Sequence, residues 1–476
     1  MKTFKRTIPG FAICALLAGH AIAGPLFLPG NLIVSVSGNG VVGASSGSYT
    51  DNQASPLTLF QYQPTGTSSA TYVNSLVLPQ TKVGSNYAIS AEYGSSSEGS
   101  IQLSSNGQYL AVMGYGINAT TFNNSPGTYS INSANTALAQ TGSMTNQSTY
   151  TPVARVIALI DGDGNVDTTT ALFNIFNGNN PRSAFTADGS SLYVSGQGNY
   201  PDNTGGVFYA QRGASSATSI TGNDATGASN VSQDTRIVQI YNGRLYVSAD
   251  SKSGTTNRDF VGTLGSAGSL PTSTANSSAG PTQLAGTGTG AGRITAGSNT
   301  NGIVTSGTTL NLSPESYFFA NPSTLYIADT GSPKNNSGTS ALGDGGLQKW
   351  TNSKADGTGT WTLQYTITSG LNNFVHNNAS SGTTGLYGLA GTVVGNQVML
   401  YATNYTIQDL DQTYLYGITD ALNATTAGTE SFTTLATAPA DSNFKGISFA
   451  PTPEPSTFAF LALGVGGLLA RRRMSR

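Results

Sequence analysis

Charged residues are scarce in this 476-residue sequence. Asp, Glu, Lys and Arg make up 9 % of it, against roughly 25 % in soluble domains at large. There are two histidines, His20 and His376, too few for a His-rich zinc or iron centre. The one cysteine, Cys14, lies in an N-terminal segment taken up below, so the rest of the chain has no thiol for a disulfide or a thiolate metal site. Basic residues are few and cluster at the ends: Lys2, Lys5 and Arg6 at one, Arg471, Arg472, Arg473 and Arg476 at the other. Between them stand 13 Lys and Arg against 21 Asp and Glu, with Glu454 assigned to the C-terminal segment. A dilute acidic surface repels phosphate backbones, which argues against nucleic acid as a partner.

Gly, Ser, Thr and Asn fill the deficit. Hydrophobic residues still reach 37 %, with 22 Tyr and 18 Phe. Disordered chains are poor in both. The composition predicts a folded, β-rich body with long polar loops.

Residues 1–23 have the three parts of a secretory signal. Lys2, Lys5 and Arg6 form a positive start, Phe11 to Ala18 a short apolar segment, and Ala21-Ile22-Ala23 the small residues that signal peptidase accepts. Cleavage is expected before Gly24, with the Sec machinery and signal peptidase as partners. A lipidated Cys14 fits poorly, because Ala15 to Ala18 continue the apolar stretch beyond it.

The other end carries Pro453-Glu454-Pro455, then the apolar run Phe458 to Ala470, then Arg471-Arg472-Arg473. The two prolines favour an extended segment that a protease can bind. The run is shorter than the roughly 20 residues that cross a bilayer, and snorkelling Arg side chains can extend it. The Arg cluster stays cytoplasmic by the positive-inside rule, which places the body outside. This ordered trio resembles the PEP-CTERM sorting signal, here 451–476 with a membrane helix over 458–470. The resemblance implies recognition by an exosortase, a membrane-embedded cysteine protease, in a Gram-negative bacterium that makes exopolysaccharide. It implies an inner-membrane-anchored precursor, then a place in the cell envelope or extracellular matrix. A plain anchor without processing is the competing reading.

Between the ends, over 24–450, a pattern recurs: an apolar strand, a tight turn often built on Asn-Gly or Asp-Gly, and a second strand with a Leu-Tyr pair. The copies are Ser100–Val112 (pair reversed), Ser183–Ser195, Arg236–Ser248, Tyr317–Asp329 and Leu386–Ala402. Asn-Gly and Asp-Gly reach the positive φ angles that hairpin turns need. Further strands follow, as at Gly206–Ala210 and Thr413–Gly417. The expected fold is an all-β propeller of six or seven blades. The pairs at Leu192, Leu245, Leu325 and Leu400 are spaced more widely than the roughly 40–50 residues of known propeller repeats. Ser/Thr/Gly/Asn tracts such as Ala214–Asn230 and Ser266–Gly302 supply the extra length. Phe444–Phe449 reads as a first strand without a successor and Asn31–Val36 as a second strand without a predecessor; pairing them satisfies both edges. Leu325–Gly331 with Leu347–Trp350 is similar to one NHL-type propeller repeat. A pair of β-sandwiches and a β-helix are the competing folds.

Candidate chemistry is sparse. Asp161, Asp163, Asn165 and Asp167 alternate as oxygen ligands of a calcium loop do, but Val166 replaces the turn glycine and Leu172 the closing Glu of an EF-hand. A hairpin turn explains the same residues, so calcium stays open and no other cofactor is expected. Gly43-Ala44-Ser45-Ser46-Gly47 matches a nucleophile-elbow pattern without its strand-to-helix context. His376 has no acid–base partner placed by spacing. Two functions remain: a non-catalytic binding or structural role with exopolysaccharide, and a polysaccharide lyase or glycosidase. The second would need carboxylates converging across a cleft, with Asp250, Asp329 and Asp420 as candidates. Low charge and scarce histidine favour the first.

Overall fold

The computed structural model describes residues 25–42, 49–199, 202–221, 234–253, 256–274, 282–284, 293–295, 309–311, 313–331, 345–376, 381–406 and 411–453. The signal peptide with Ala21, Ala23 and Gly24, the Gly43–Gly47 tract, and Glu454 to Arg476 lie outside the described residues, as does most of both Ser/Thr/Gly/Asn tracts.

Each expected hairpin is formed, and each belongs to an antiparallel sheet. The second sheet runs Ile101–Leu103, Tyr109–Tyr115, Arg155–Asp161, Val166–Leu172. The third runs Pro181–Phe185, Ser191–Gly196, Gly206–Gln211, Thr218–Ser219. The fourth runs Thr235–Tyr241, Arg244–Ser253, Thr256–Leu264, Thr282–Gln283. The fifth runs Pro314–Asn321, Thr324–Asp329, Gly346–Asn352, Trp361–Ile367. The sixth runs Ser381–Val394, Gln397–Thr406, Tyr414–Ala421, Thr433–Thr437. The first sheet joins the two ends of the body: Ser442–Phe449, then Leu32–Gly38, Ala54–Thr65 and Ser69–Val77. Val34 lies opposite Ile447 and Val36 opposite Phe444, the pairing expected from the unsatisfied edges. A short strand, Ser90–Glu92, links the first and second sheets. Every strand pair among the described residues is antiparallel, unlike the parallel coils of a β-helix. The only α-helix among them is Ala119–Asn124.

The cores show how the sheets stack. Successive side chains of a strand point to opposite faces, so each sheet can bury both. Ile33 and Leu59 pack with Leu110 and Val156, first sheet on second. Met113 and Leu159 pack with Leu192 and Phe208, second on third. Val194's neighbour Tyr193 joins Val238 and Val247, third on fourth. Ile237 and Val261 meet Phe319 and Trp350, fourth on fifth. Tyr326 and Tyr365 meet Leu400 and Tyr416, fifth on sixth. Finally Tyr401 and Leu415 meet Val34 and Phe444, sixth on first. The stack therefore closes on itself, a propeller-like arrangement rather than two sandwiches.

A hydroxyl three residues after the strand leucine ties neighbouring sheets together at several joints. Ser35 donates to the Gly99 carbonyl, Ser195 to that of Arg236, Ser248 to that of Glu315 and Thr403 to that of Lys445. Each donor is on the second strand of one sheet. Each acceptor is at or just before the first strand of the next.

Candidate binding site

The first strands of the six sheets surround the axis of the ring, and what they carry there differs between its two ends. Near their N-terminal ends the side chains are polar and buried. Arg182 pairs with Asp234 and donates to Gln197 Oε1 at 2.9 Å. Asp234 also meets Arg236 at 3.2 Å, and Arg236 reaches Glu315 at 3.4 Å. These four groups form an ionic arc across the third, fourth and fifth sheets. On the remaining side, the Tyr387 hydroxyl donates to the Glu98 carbonyl at 2.8 Å and lies 3.0 Å from Ser100 Oγ. Lys445 Nζ donates to the Ser95 carbonyl.

The segment 93–99 is bound at this end through its Ser95 and Glu98 carbonyls. Its Glu98 is fully buried and accepts from the Tyr115 hydroxyl, from Asn180 Nδ2 and from the Glu92 N–H. Burial pushes the Glu98 carboxyl up, against the opposing pull of those bonds and of the Arg155 charge. Burial likewise raises the Tyr387 phenol, with Glu315 adding to the rise. The backbones touch beside this segment: a Cβ on Gly446 would come within 2.3 Å of the Ile101 nitrogen, so only glycine lets the first and second sheets meet. Buried charges that are paired and hydrogen-bonded hold such a junction in one arrangement.

At the other end lies a cavity of about 170 Å³ lined by Gln102, Gln239, Ser316, Phe318, Ser448 and Phe449, among others. Gln102 Nε2 donates to Ser183 Oγ at 2.6 Å and to the Val238 carbonyl at 2.7 Å, bridging three sheets behind it. Gln239 Oε1 is buried without a hydrogen-bond partner, an orphan of the kind that marks a place for a donor from outside the chain. The lining holds no Asp, Glu, His, Lys or Arg. Its one phenol, Tyr317, donates weakly to the Ile237 carbonyl at 3.4 Å.

The residues singled out in the sequence are dispersed. Asp329 accepts from Gln348 Nε2 at 3.0 Å and from the Ser313 N–H at 2.8 Å. Asp420 pairs with Lys349 at 2.9 Å, between the fifth and sixth sheets. The two carboxylates are bonded to different groups, and the side chain of Asp250 lies outside the described residues. The backbone of His376 ends a three-residue strand opposite Ser381. Asp161 Oδ1 accepts from the Asp163 and Asn165 N–H groups at 3.0 and 2.9 Å, and Oδ2 from Asn165 Nδ2 at 2.8 Å. Asp167 is bound to Arg212 at 2.6 Å and to the Thr169 N–H at 2.7 Å. Burial raises the Asp167 carboxyl, but the Thr169 and Arg212 bonds outweigh it and hold the group below its usual range. Among the described residues no group of three or more His, Cys, Asp or Glu is placed to hold a metal.

Those bonds make 161–165 a self-satisfied hairpin turn. Asp161→Ala is therefore expected to cost about 1 kcal/mol through the lost turn bonds, read as a shift in the denaturation midpoint. The loss should be the same with and without millimolar calcium. A calcium-dependent rise of the midpoint in the wild type, absent from the variant, would assign calcium to Asp161, Asp163, Asn165 and Asp167.

The ionic arc and Glu98 were not found from sequence, because their partners lie far apart along the chain. The one signal available was a charged residue at the start of a first strand, at Arg182, Arg236, Glu315 and Lys445, in a sequence with few charges.

Comparison with known proteins adds one specific result. Residues 451–473 match the PEP-CTERM protein-sorting motif. No match was found among curated proteins. The structure is similar to that of a hypothetical selenium-binding protein from Sulfolobus tokodaii, at 10 % identity over 90 % of this chain and 94 % of that one, TM-score 0.39. It is also similar to a PL25 ulvan lyase, at 10 % identity over 89 % and 88 %, TM-score 0.37. With a Hadza microbial sialidase the identity is 11 % over 79 % of this chain, TM-score 0.36, and the match spans 61 % of the sialidase's length. Among the described residues no helix is long and apolar enough to cross a membrane; the apolar run Phe458 to Ala470 lies outside them. What the tail match carries is the address: a PEP-CTERM motif marks an exported precursor, anchored at its C-terminal end in the membrane of a Gram-negative bacterium and handed to an exosortase.

Proposed function

We propose that the six sheets are the blades of one propeller spanning the body, and that this body is a non-catalytic binding protein of the cell surface or extracellular matrix. Its ligand is one sugar unit of an exopolysaccharide, held at the axial cavity. The supporting observation is the chemistry of the lining. Amides and hydroxyls match sugar hydroxyls, and the Phe318 and Phe449 rings offer apolar faces for a sugar ring. The cavity holds about five or six water volumes at the liquid's roughly 30 Å³ each, enough for a single unit. A glycosidase needs two carboxylates flanking the scissile bond, and this lining supplies none. The carboxylates at the opposite end are buried and already bonded. Export through the Sec machinery and signal peptidase, with cleavage before Gly24, and exosortase processing at Pro453-Glu454-Pro455 with Arg471, Arg472 and Arg473 at the cytoplasmic side, complete the reading.

Calorimetric titration of the processed protein with oligosaccharides of its host's exopolysaccharide tests this. Saturable binding is expected, and Gln239→Ala should weaken it about tenfold, the worth of one hydrogen bond at the upper end of the usual range. Absence of binding refutes the reading. Accumulation of new reducing ends or unsaturated sugars would replace it with the lyase or glycosidase alternative.

A further inference from the structure

The two ends of the body dock on one turn. The Phe27 N–H donates to the Gly162 carbonyl at 3.0 Å, and Leu26 packs against Gly164, where a Cβ would come within 2.4 Å of it. From the other end, Thr452 donates to the Gly107 carbonyl through both its N–H, at 2.8 Å, and its hydroxyl, at 2.9 Å. Pro453 lies against Gly162, where a Cβ would meet the proline nitrogen at 2.7 Å. The first proline of Pro453-Glu454-Pro455 is thus held at a fixed point on the body.

That point is on the face bearing the cavity. Ser448 and Phe449 line the cavity, and Ala450 to Pro453 follow them directly. Gly107 sits in the turn joining the first and second strands of its sheet, and 162–164 in the turn joining the third and fourth. In an antiparallel meander both turns project from the same face. Between Pro453 and the start of the apolar run at Phe458 stand only Glu454, Pro455, Ser456 and Thr457. At 3.3–3.6 Å per residue this connection spans at most about 18 Å.

We propose that the uncleaved tail holds the cavity-bearing face against the lipid surface, so that processing at the tail is also what uncovers the cavity. This rests on the reading of the tail as a membrane anchor. The bilayer is the occupant of that face in the precursor, and its headgroups leave no room for a polysaccharide chain to reach the axial mouth. After release the same face is open to solvent.

The chain offers a direct test, because its one cysteine precedes Gly24. Single cysteines are introduced at Asn106, exposed beside Gly107, and at Ala134, exposed in the connection that leaves the opposite end of the second strand at Tyr115. Each full-length precursor, purified from a host without exosortase, is labelled with a fluorophore and reconstituted into phosphatidylethanolamine–phosphatidylglycerol vesicles containing headgroup spin-labelled lipid. Quenching at Asn106→Cys is expected to exceed that at Ala134→Cys at least threefold. A twenty-residue Gly/Ser insertion after Thr457, with a root-mean-square length of about 25 Å, should erase the difference. Equal quenching at both sites in vesicles that carry the protein on flotation overturns the orientation alone. Protein that does not float with the vesicles overturns the anchor reading and the orientation with it.

Discussion

A chain ending at Asp441 is expected not to fold, whereas one ending at Pro453 folds as the full body does. The twelve residues between these ends include the innermost strand of the first sheet, Ser442–Phe449, buried along almost its whole length. Phe444 and Ile447 are its main apolar contribution, each worth about 1.5–3 kcal/mol of burial. The greater loss is what they cover. Removing the strand strips Leu32–Gly38 of one of its two ladders and leaves the Thr403 hydroxyl without its acceptor, the Lys445 carbonyl. It also opens the core shared by Val34, Phe60, Tyr401 and Leu415. Each buried polar group left without a partner adds roughly 1–3 kcal/mol. The sum reaches the 5–15 kcal/mol that typically separates a folded domain from its unfolded chain. Size-exclusion and circular dichroism of the two truncations decide it. The point substitution Phe444→Ala should lower stability by about 3–5 kcal/mol without abolishing folding. A chain ending at Asp441 that unfolds cooperatively near the wild-type midpoint would show that the ring does not depend on its closure.

The second large effect concerns Lys349 and Asp420. Both side chains are fully buried and 2.9 Å apart. The Tyr326 and Tyr365 hydroxyls donate to Asp420, and Lys349 also donates to the Ala421 carbonyl. Burial draws the Lys349 ammonium below its usual range, and the Asp420 carboxylate opposes that pull. Taking two charges out of water costs several kcal/mol per ion, offset only while each has the other. Lys349→Met alone is therefore expected to cost about 3–5 kcal/mol, because it strands Asp420. Lys349→Met combined with Asp420→Leu should recover most of that loss. Urea denaturation of the wild type, both single variants and the double variant forms the test. If the double variant loses as much as the two singles added together, the pair is not coupled and the argument fails.

Much of the fold was legible because its signals are local. Hairpins such as Ser183–Ser195 announce themselves through an Asp-Gly turn between two apolar runs, and the pairing of Asn31–Val36 with Phe444–Phe449 followed from edges that needed partners. The serine of Leu192-Tyr193-Val194-Ser195 was equally visible, but its role was not, since its acceptor is the Arg236 carbonyl in the next sheet. Asp329 and Asp420 looked like catalytic candidates because a sequence cannot show which acids are consumed by Ser313, Gln348 and Lys349. The alternating oxygens of Asp161 to Asp167 suit a cation and a turn alike, and only the geometry shows that Asp161 spends both carboxylate oxygens on its own turn. The axial cavity left no trace at all. Its Gln and Ser residues do not stand out in a chain rich in polar residues, and they come together only where the first strands of five sheets meet.

Closure by the last strand also has a temporal side. Leu32–Gly38 is exported among the first segments of the body, yet its partner Ser442–Phe449 is the last of the described strands. Contacts so distant in sequence form slowly, and here they cannot form at all until export is nearly complete. The strand that completes the ring lies directly before the Pro-Glu-Pro motif, so a prematurely terminated chain loses its fold and its address together. The order of the segments thus places the ring's closing strand and the matched motif side by side in the chain.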